Sequence, residues 1–375
     1  IMNSDGAMLR WFSTDRGFTH DENSTLIGPI GGTIREDGTF DEDVTWGPGR
    51  WSSSTTWILI QLSRTDLEEN GITYYWADAE NQRNGYEFEG LNLVGFRDFY
   101  SGDHDNIRDI GEDYHGTLMA GLLAGNGTYV GAAPSVSLSV ALALGPKGEA
   151  GQADRVALAI RWCRISQDVD IISLSLGGNP EDGMSNLQSG TVEAVNEALD
   201  AGIFVVAAAG NNGKESTIND VSIPANILGV IAVGASTSDG SIWANSSIGS
   251  AIDPYSSEER SFPNQKPEVT APGVRMFSTA STEITPPYAY STGTSDSTVI
   301  VVGALALILQ IHGDAMQGAD GNFDNKEMTK VKRALANSSL DGQLEDSTHS
   351  NKAGYGELDA VAWLEEIKIE FNLDK

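Results

Sequence analysis

From residue 135 onward the chain alternates short apolar runs with stretches of helical periodicity, and few folds accept that pattern. SVSLSVALAL (135–144), DIISLSL (170–176), IFVVAAAG (203–210) and VIAVGAS (230–236) read as strands. Between them, RVALAIRWCRI (155–165) and GTVEAVNEALDAG (190–202) place apolar residues at helical spacing, the second closed by glycine. Strands of this kind joined by helices imply right-handed βαβ units: an α/β fold with a parallel sheet and helices on both faces. The working residues of such a sheet lie beyond the carboxyl ends of its strands, here after SLSL and VVAAAG.

The first 66 residues follow another pattern. They are rich in Gly, Asp, Ser and Thr around one apolar strand, TWILIQL (56–62). We expect residues 1–66 to form an N-terminal extension, 67–367 the main domain and 368–375 a tail. The apolar run VIVVGALALILQI (299–311) is too short to cross a bilayer and fits a buried core helix. No membrane span is expected.

Charge narrows the choice of partners. The chain carries 53 acidic against 23 basic residues, a formal charge of −30. Phosphate neutralisation needs Lys and Arg, so nucleic-acid binding is disfavoured. The excess reads as a solvated surface suited to high salt. The chain begins at Ile1 with no n-region or cleavage site, so any targeting signal is expected to have been removed or excluded; the setting expected for the protein is extracellular. The single cysteine, Cys163, lies in an apolar-periodic segment and is expected to be a buried structural thiol.

STGTSDSTVI (291–300) concentrates hydroxyl side chains just before that apolar run. A serine there needs a base within reach to act as a nucleophile. Five histidines are present; His115, in EDYHGTLMAG, precedes a small-residue helix pattern packed through Ala120, Gly121 and Gly125. A histidine at a helix start is by itself more often structural than catalytic.

Three segments taken together shift that balance: EDYHGTLMAG, VVAAAGNNG and STGTS, in this order, resemble the subtilisin-like serine proteases, or subtilases. GAAPSVSLSVALAL, VDIISLSLGG, SIPANILGVIAVGA, KPEVTAPGV and KAGYGELDA extend the resemblance over roughly residues 67–365. It implies a three-layer fold and an Asp/His/Ser triad, with His115 as base, Ser295 as nucleophile and Asn211 holding the oxyanion. The acid precedes the histidine in this family. Asp66 and Asp78 compete for that place. Asp78 directly ends the strand-like ITYYWAD, and LVGFRDF resembles a segment that follows the family's acid by about twenty residues. Asp78 is therefore expected.

The resemblance also implies how substrate binds. Ser175, Leu176, Gly177 and Gly178 would form one edge for an extended protein or peptide chain, with GPKGEAGQ, through Gly148 and Gly151, as the other. Ser222 falls at the floor of the primary specificity pocket, which suggests room for medium or large uncharged side chains. No cofactor is required for the chemistry, no catalytic metal is expected, and calcium enters only as a structural ion. ADGNFDNKE (319–327) lacks the turn glycine and distal acid of a calcium loop, and reads as a solvated loop, as do the acids around Asp103, Asp109 and Glu112. A monomer is expected.

The departures from the family pattern are local. Ala79 and Glu80 follow the acid, Tyr114 replaces a glycine before the histidine, and Leu118 a second histidine after it. Asp296 follows the nucleophile where the family has methionine; pointing outward, it would cap the following helix. These changes motivate a second hypothesis, an inactive subtilase-fold binding or scaffold protein. An α/β-hydrolase esterase is excluded, since the serine sits in GTSDS rather than a G-x-S-x-G elbow.

Overall fold

The computed structural model describes residues 92–373 except for short stretches (105–106, 128, 150–154, 179–184, 214–219, 254–256, 281–286 and 341–348), and two short strands nearer the N-terminus. The chain divides into two units, 1–78 and 79–375. In the first, β1 (Thr19–His20) pairs antiparallel with β2 (Leu26–Ile27). TWILIQL, Asp66 and Asp78 lie outside the described residues.

The second unit is built on a parallel sheet of four strands: β5 (Ile171–Leu174), β6 (Phe204–Ala208), β7 (Ile231–Ser236) and β8 (Val269–Pro272), hydrogen-bonded in that order. A second parallel pair joins β3 (Leu93–Asp98) to β4 (Leu138–Leu142), and an antiparallel hairpin joins β9 (Val274–Thr279) to β10 (Tyr288–Thr292). The helices are α1 (His115–Ala124), α2 (Arg155–Trp162), α3 (Ser185–Asp200), α4 (Thr294–Met316), α5 (Asn325–Ser338) and α6 (Ala360–Phe371).

Alternation along the strands divides the core into two layers. Phe204 and Val206 of β6 join Ile231 and Val233 of β7 in a core shared with α1, α4, α5 and α6. Val205 and Ala207, with Ala232, face the other way, onto α2 and α3. The result is the three-layer α/β arrangement that strand and helix alternation predicts. Gly202, at φ +82°, ends α3 in the left-handed region where a side chain would be strained.

By length and composition α4 passes the test for a membrane span. In the fold it is a core helix, with Val299, Val301, Val302 and Leu305 buried against the sheet. Cys163 opens a π-helical turn, Cys163–Gln167, and is half-buried rather than fully buried. Burial still pushes its thiol up to about 11, so it stays protonated and inert.

Candidate active site

Ser295 is the second residue of α4, so its backbone N–H is among the unpaired donors of the helix N-terminus. Its hydroxyl donates to the Ser175 carbonyl at 3.2 Å, and the Ser175 hydroxyl donates back to the Ser295 carbonyl at 3.0 Å. This reciprocal pair ties the start of α4 to the segment just past β5, the end of the sheet where chemistry is expected.

Just beyond β6, Asn211 reaches the same place. Its Oδ1 accepts from the backbone N–H of Thr294 at 3.0 Å and from the Thr294 hydroxyl at 2.9 Å. The Thr294 hydroxyl oxygen in turn accepts from the Gly210 N–H at 3.1 Å. With Oδ1 so committed, Nδ2 turns toward Gly293, where an added Cβ would lie 3.2 Å away. The residue is exposed, and its amide donor is open to a ligand.

His115 is the first residue of α1 and is half-buried. Its helix is clamped to β9: the Ser278 hydroxyl donates to the Leu118 carbonyl at 2.7 Å and the Thr279 hydroxyl to that of Thr117 at 3.0 Å. Gly121 permits this approach, since a Cβ there would collide with both hydroxyls. Because β9 pairs with β10, which runs directly into Ser295, one hairpin links both helix starts. Among the described residues no hydrogen bond joins His115 to Ser295.

The start of α1 is unusual. Its N-cap position is Tyr114, held left-handed at φ +58° with no side-chain cap. This is the position where the resembled family places glycine, and the conformation explains that preference. Tyr114 tolerates it by packing on the core. Capping comes from further back, where Asp109 Oδ2 accepts from the N–H of Thr117 at 2.7 Å and from its hydroxyl at 2.8 Å. Two other acids are also engaged. Buried Asp98 accepts from Ser101, Tyr100 and Arg108, and these bonds outweigh the upward push of burial and hold it near 2; Asp103 pairs with Arg108. Among the described residues no group of three or more His, Cys, Asp or Glu could hold a metal ion.

The remaining sequence-derived positions distribute unevenly. Leu176 packs on the core beside α2 and α3. Gly177 is exposed. Gly178 commits both backbone groups to Ile223, its N–H to the Ile223 carbonyl at 2.9 Å and its carbonyl to the Ile223 N–H at 3.1 Å. Ser222 is buried between Gly177 and Gly210, against which a Cβ on either glycine would press. Its segment is clipped from behind by Arg260, which holds Asp220 through two bonds of 2.8 and 3.0 Å and donates to the Asn226 carbonyl at 3.2 Å. Gly148 is exposed at φ +78° in a turn closed by its N–H on the Gly145 carbonyl; Gly151 lies outside the described residues.

Asp296 corrects the expectation of an outward cap. The N-cap position of α4 is Gly293, with no side-chain cap, and the Asp296 carboxylate is buried beneath β10, where Oδ2 accepts from the Ser291 hydroxyl at 3.0 Å. Helical geometry turns this position inward once Ser295 faces the strand ends, a fact that residue type does not carry.

The model of the subtilase family matches residues 61–356. The chain is 36% identical over 222 residues to Subtilisin DY of Bacillus licheniformis, covering 58% of this chain and 70% of that one. It is 34% identical over 274 residues to the Major intracellular serine protease of Bacillus subtilis, covering 72% and 74%. With Subtilisin NAT of Bacillus subtilis subsp. natto it shares 35% over 225 residues, 59% of this chain and about half, 52%, of that protein. Among solved structures, the prenylagaramide maturation protease PagA superposes with a TM-score of 0.55 at 21% identity, over 76% of this chain and 89% of that one, a likeness of fold.

Proposed function

Because the chain belongs to the subtilase family of serine proteases, we propose that it is an endopeptidase in which Ser295 attacks the peptide carbonyl, His115 is the general base and Asp78 the acid. The Asn211 amide carries this reading. Its Oδ1 is fixed on Thr294, which leaves Nδ2 beside Gly293 at the start of the helix that also offers the Ser295 N–H, and these two donors suit a tetrahedral oxyanion.

In this mechanism the Ser295 hydroxyl leaves the Ser175 carbonyl for the His115 imidazole. Hydrogen bonds of this kind tighten only when substrate excludes water. His115 takes the proton as Ser295 attacks, and returns it to the leaving amine. Asp78, assigned from its place in the sequence, fixes the imidazole tautomer and stabilises the imidazolium. The chemistry needs no cofactor, and calcium would act only as a structural ion.

Substrate adds as an extended strand along Ser175–Gly177, with the turn containing Gly148 and the neighbouring Gly151 as the opposite edge. Gly178, with its backbone already paired, belongs to the pocket wall instead. Ser222, small and flanked by Gly177 and Gly210, is the floor of a pocket for medium or large uncharged side chains. A monomer acting outside the cell in saline surroundings suits the charge of −30, which salt would screen.

Fluorophosphonate labelling read by intact mass tests the reading. A single adduct on the wild type that is lost in Ser295→Ala supports it. No adduct on the folded wild type at high and low salt would sink it and leave the inactive binding protein.

A further inference from the structure

The connection from α4 to α5 encloses a buried carboxylate that the mechanism above does not use. Glu327, in the first turn of α5, is 6% exposed, and among the described residues no hydrogen-bond partner reaches its buried Oε2. Its other oxygen, Oε1, has only Lys326 Nζ at 3.8 Å, on a side chain that is 74% exposed. A buried carboxylate answered by one distant, solvated ammonium is costly, so a closer positive charge is called for.

Two more oxygens converge on the same place. A Cβ on Gly318 would lie 3.1 Å from Asp320 Oδ1, 3.3 Å from the Asn322 carbonyl oxygen and 3.9 Å from Glu327 Oε2. Glycine at 318 thus leaves a space walled by three oxygens, two of them from carboxylates. The wall is held in position. Asp320 Oδ1 accepts from the Asn322 N–H at 3.2 Å, and the Asn322 carbonyl accepts from the Gly318 N–H at 2.8 Å. Between them and α5, the Phe323 ring meets Phe204 of β6 edge-on, with centroids 5.1 Å apart, which seats the loop on the sheet. Asp324 is spent as the N-cap of α5, its Oδ1 accepting from the N–H groups of Lys326 at 2.7 Å and Glu327 at 3.2 Å.

We propose that this loop is a calcium site: one Ca2+ takes Asp320 Oδ1, the Asn322 carbonyl oxygen and Glu327 Oε2, and water completes its shell. The donors are all oxygen, and Ca2+ accepts irregular shells of about six to eight oxygens, whereas Mg2+ demands a tight octahedron. The set has two acidic side chains rather than three, so the main-chain oxygen is indispensable to it. An EF-hand loop places its distal acid at the twelfth position. Here Glu327 is the eighth residue from Asp320 and joins the site because α5 turns it inward, which spacing alone does not reveal. With two carboxylates the affinity belongs to the weak extracellular class, roughly 0.1–1 mM. The ion pins the α4–α5 connection to the sheet and takes no part in the chemistry, so the inference stands apart from the reading of Ser295.

Thermal unfolding of the full chain tests it, in calcium, in magnesium at equal concentration and in chelator, on a Ser295→Ala background that removes self-digestion. At about 10 mM, calcium should raise Tm by roughly 3–8 °C above magnesium. Asp320→Asn and Glu327→Gln should each lose most of that increment, whereas Asp314→Asn, which changes an exposed acid of α4, should keep it. Asp320 is exposed, so its variant carries the test if Glu327→Gln does not fold. Calcium should also slow hydrogen exchange at the Gly318 N–H, and only where Asp320 is intact. Equal unfolding in calcium and magnesium overturns the inference. So does an increment that both variants retain, which would place the calcium elsewhere in the chain.

Discussion

The backbone N–H of Thr294 and the side-chain Oδ1 of Asn211 lie 3.0 Å apart. An N–H only donates, so this contact decides which way the Asn211 amide faces. The oxygen is held at the helix start, and the nitrogen is left for a ligand. The orientation of the Asn211 amide, the proposed oxyanion donor, thus follows from hydrogen bonding in the free protein.

Asn211→Leu should lower kcat about a hundred- to thousand-fold with little change in KM, a magnitude that is subtilisin's own and is carried over here. Steady-state kinetics with a peptide substrate check it. A KM effect in place of a kcat effect would mean that Asn211 holds ground-state substrate.

Thr294→Val keeps the N–H bond to Asn211 but removes the hydroxyl that links Gly210 to Oδ1. A hydrogen bond of this kind is worth about 1 kcal/mol, so kcat should fall by up to roughly ten-fold while the melting temperature changes little. A loss as large as that of Asn211→Leu would show that the N–H bond does not orient the amide by itself.

Asp109 substitutes for a cap that Tyr114 does not provide. Asp109→Ala should cost about 1 kcal/mol in denaturant unfolding and raise hydrogen exchange at Thr117. Asp109→Asn, which keeps an acceptor, should recover most of both.

Glu268 is buried between two lysines, accepting from Lys266 at 2.9 Å and Lys332 at 2.7 Å through one oxygen and from the Ala232 N–H through the other. Glu268→Gln leaves both ammonium groups without a counter-charge and should destabilise by about 3–5 kcal/mol. Urea unfolding measures it.

Lys266 gives the same cluster a pH signature. Burial lowers it to about 7 despite the pull of Glu268, with Lys332 adding to the lowering. An unfolded lysine titrates near 10.5. Between these values the unfolded chain binds the extra proton, so this group's contribution to stability rises with pH across that window. It is lost as pH falls through about 7. Lys266→Met should flatten the stability-versus-pH curve over that range.

Much of this fold was legible because periodicity is a local property. β4 to β7, α1, α2 and α3 lie where the apolar patterns place them, and the hydroxyl-rich loop does open a long apolar helix. α5 and α6 escaped the same reading for physical reasons. The core face of α5 includes buried Lys332 and Glu327, which break its apolar stripe. α6 buries only Trp363 and Ile367, too few to mark a face.

The order of the motifs, the strand ends on which Ser175 and Asn211 fall and the helix starts on which Ser295 and His115 fall were determined by the sequence itself, since each follows from residues adjacent in the chain. Three features belong to the tertiary structure. Tyr114 accepts a left-handed backbone because the core holds its ring. Gly178 is closed to a new strand because Ile223, distant in sequence, already pairs with it. Asp296 is buried instead of capping because β10 folds over the first turn of α4. Each depends on what a remote segment brings within a few ångströms, and burial and pairing of that kind are decided only when the layers pack.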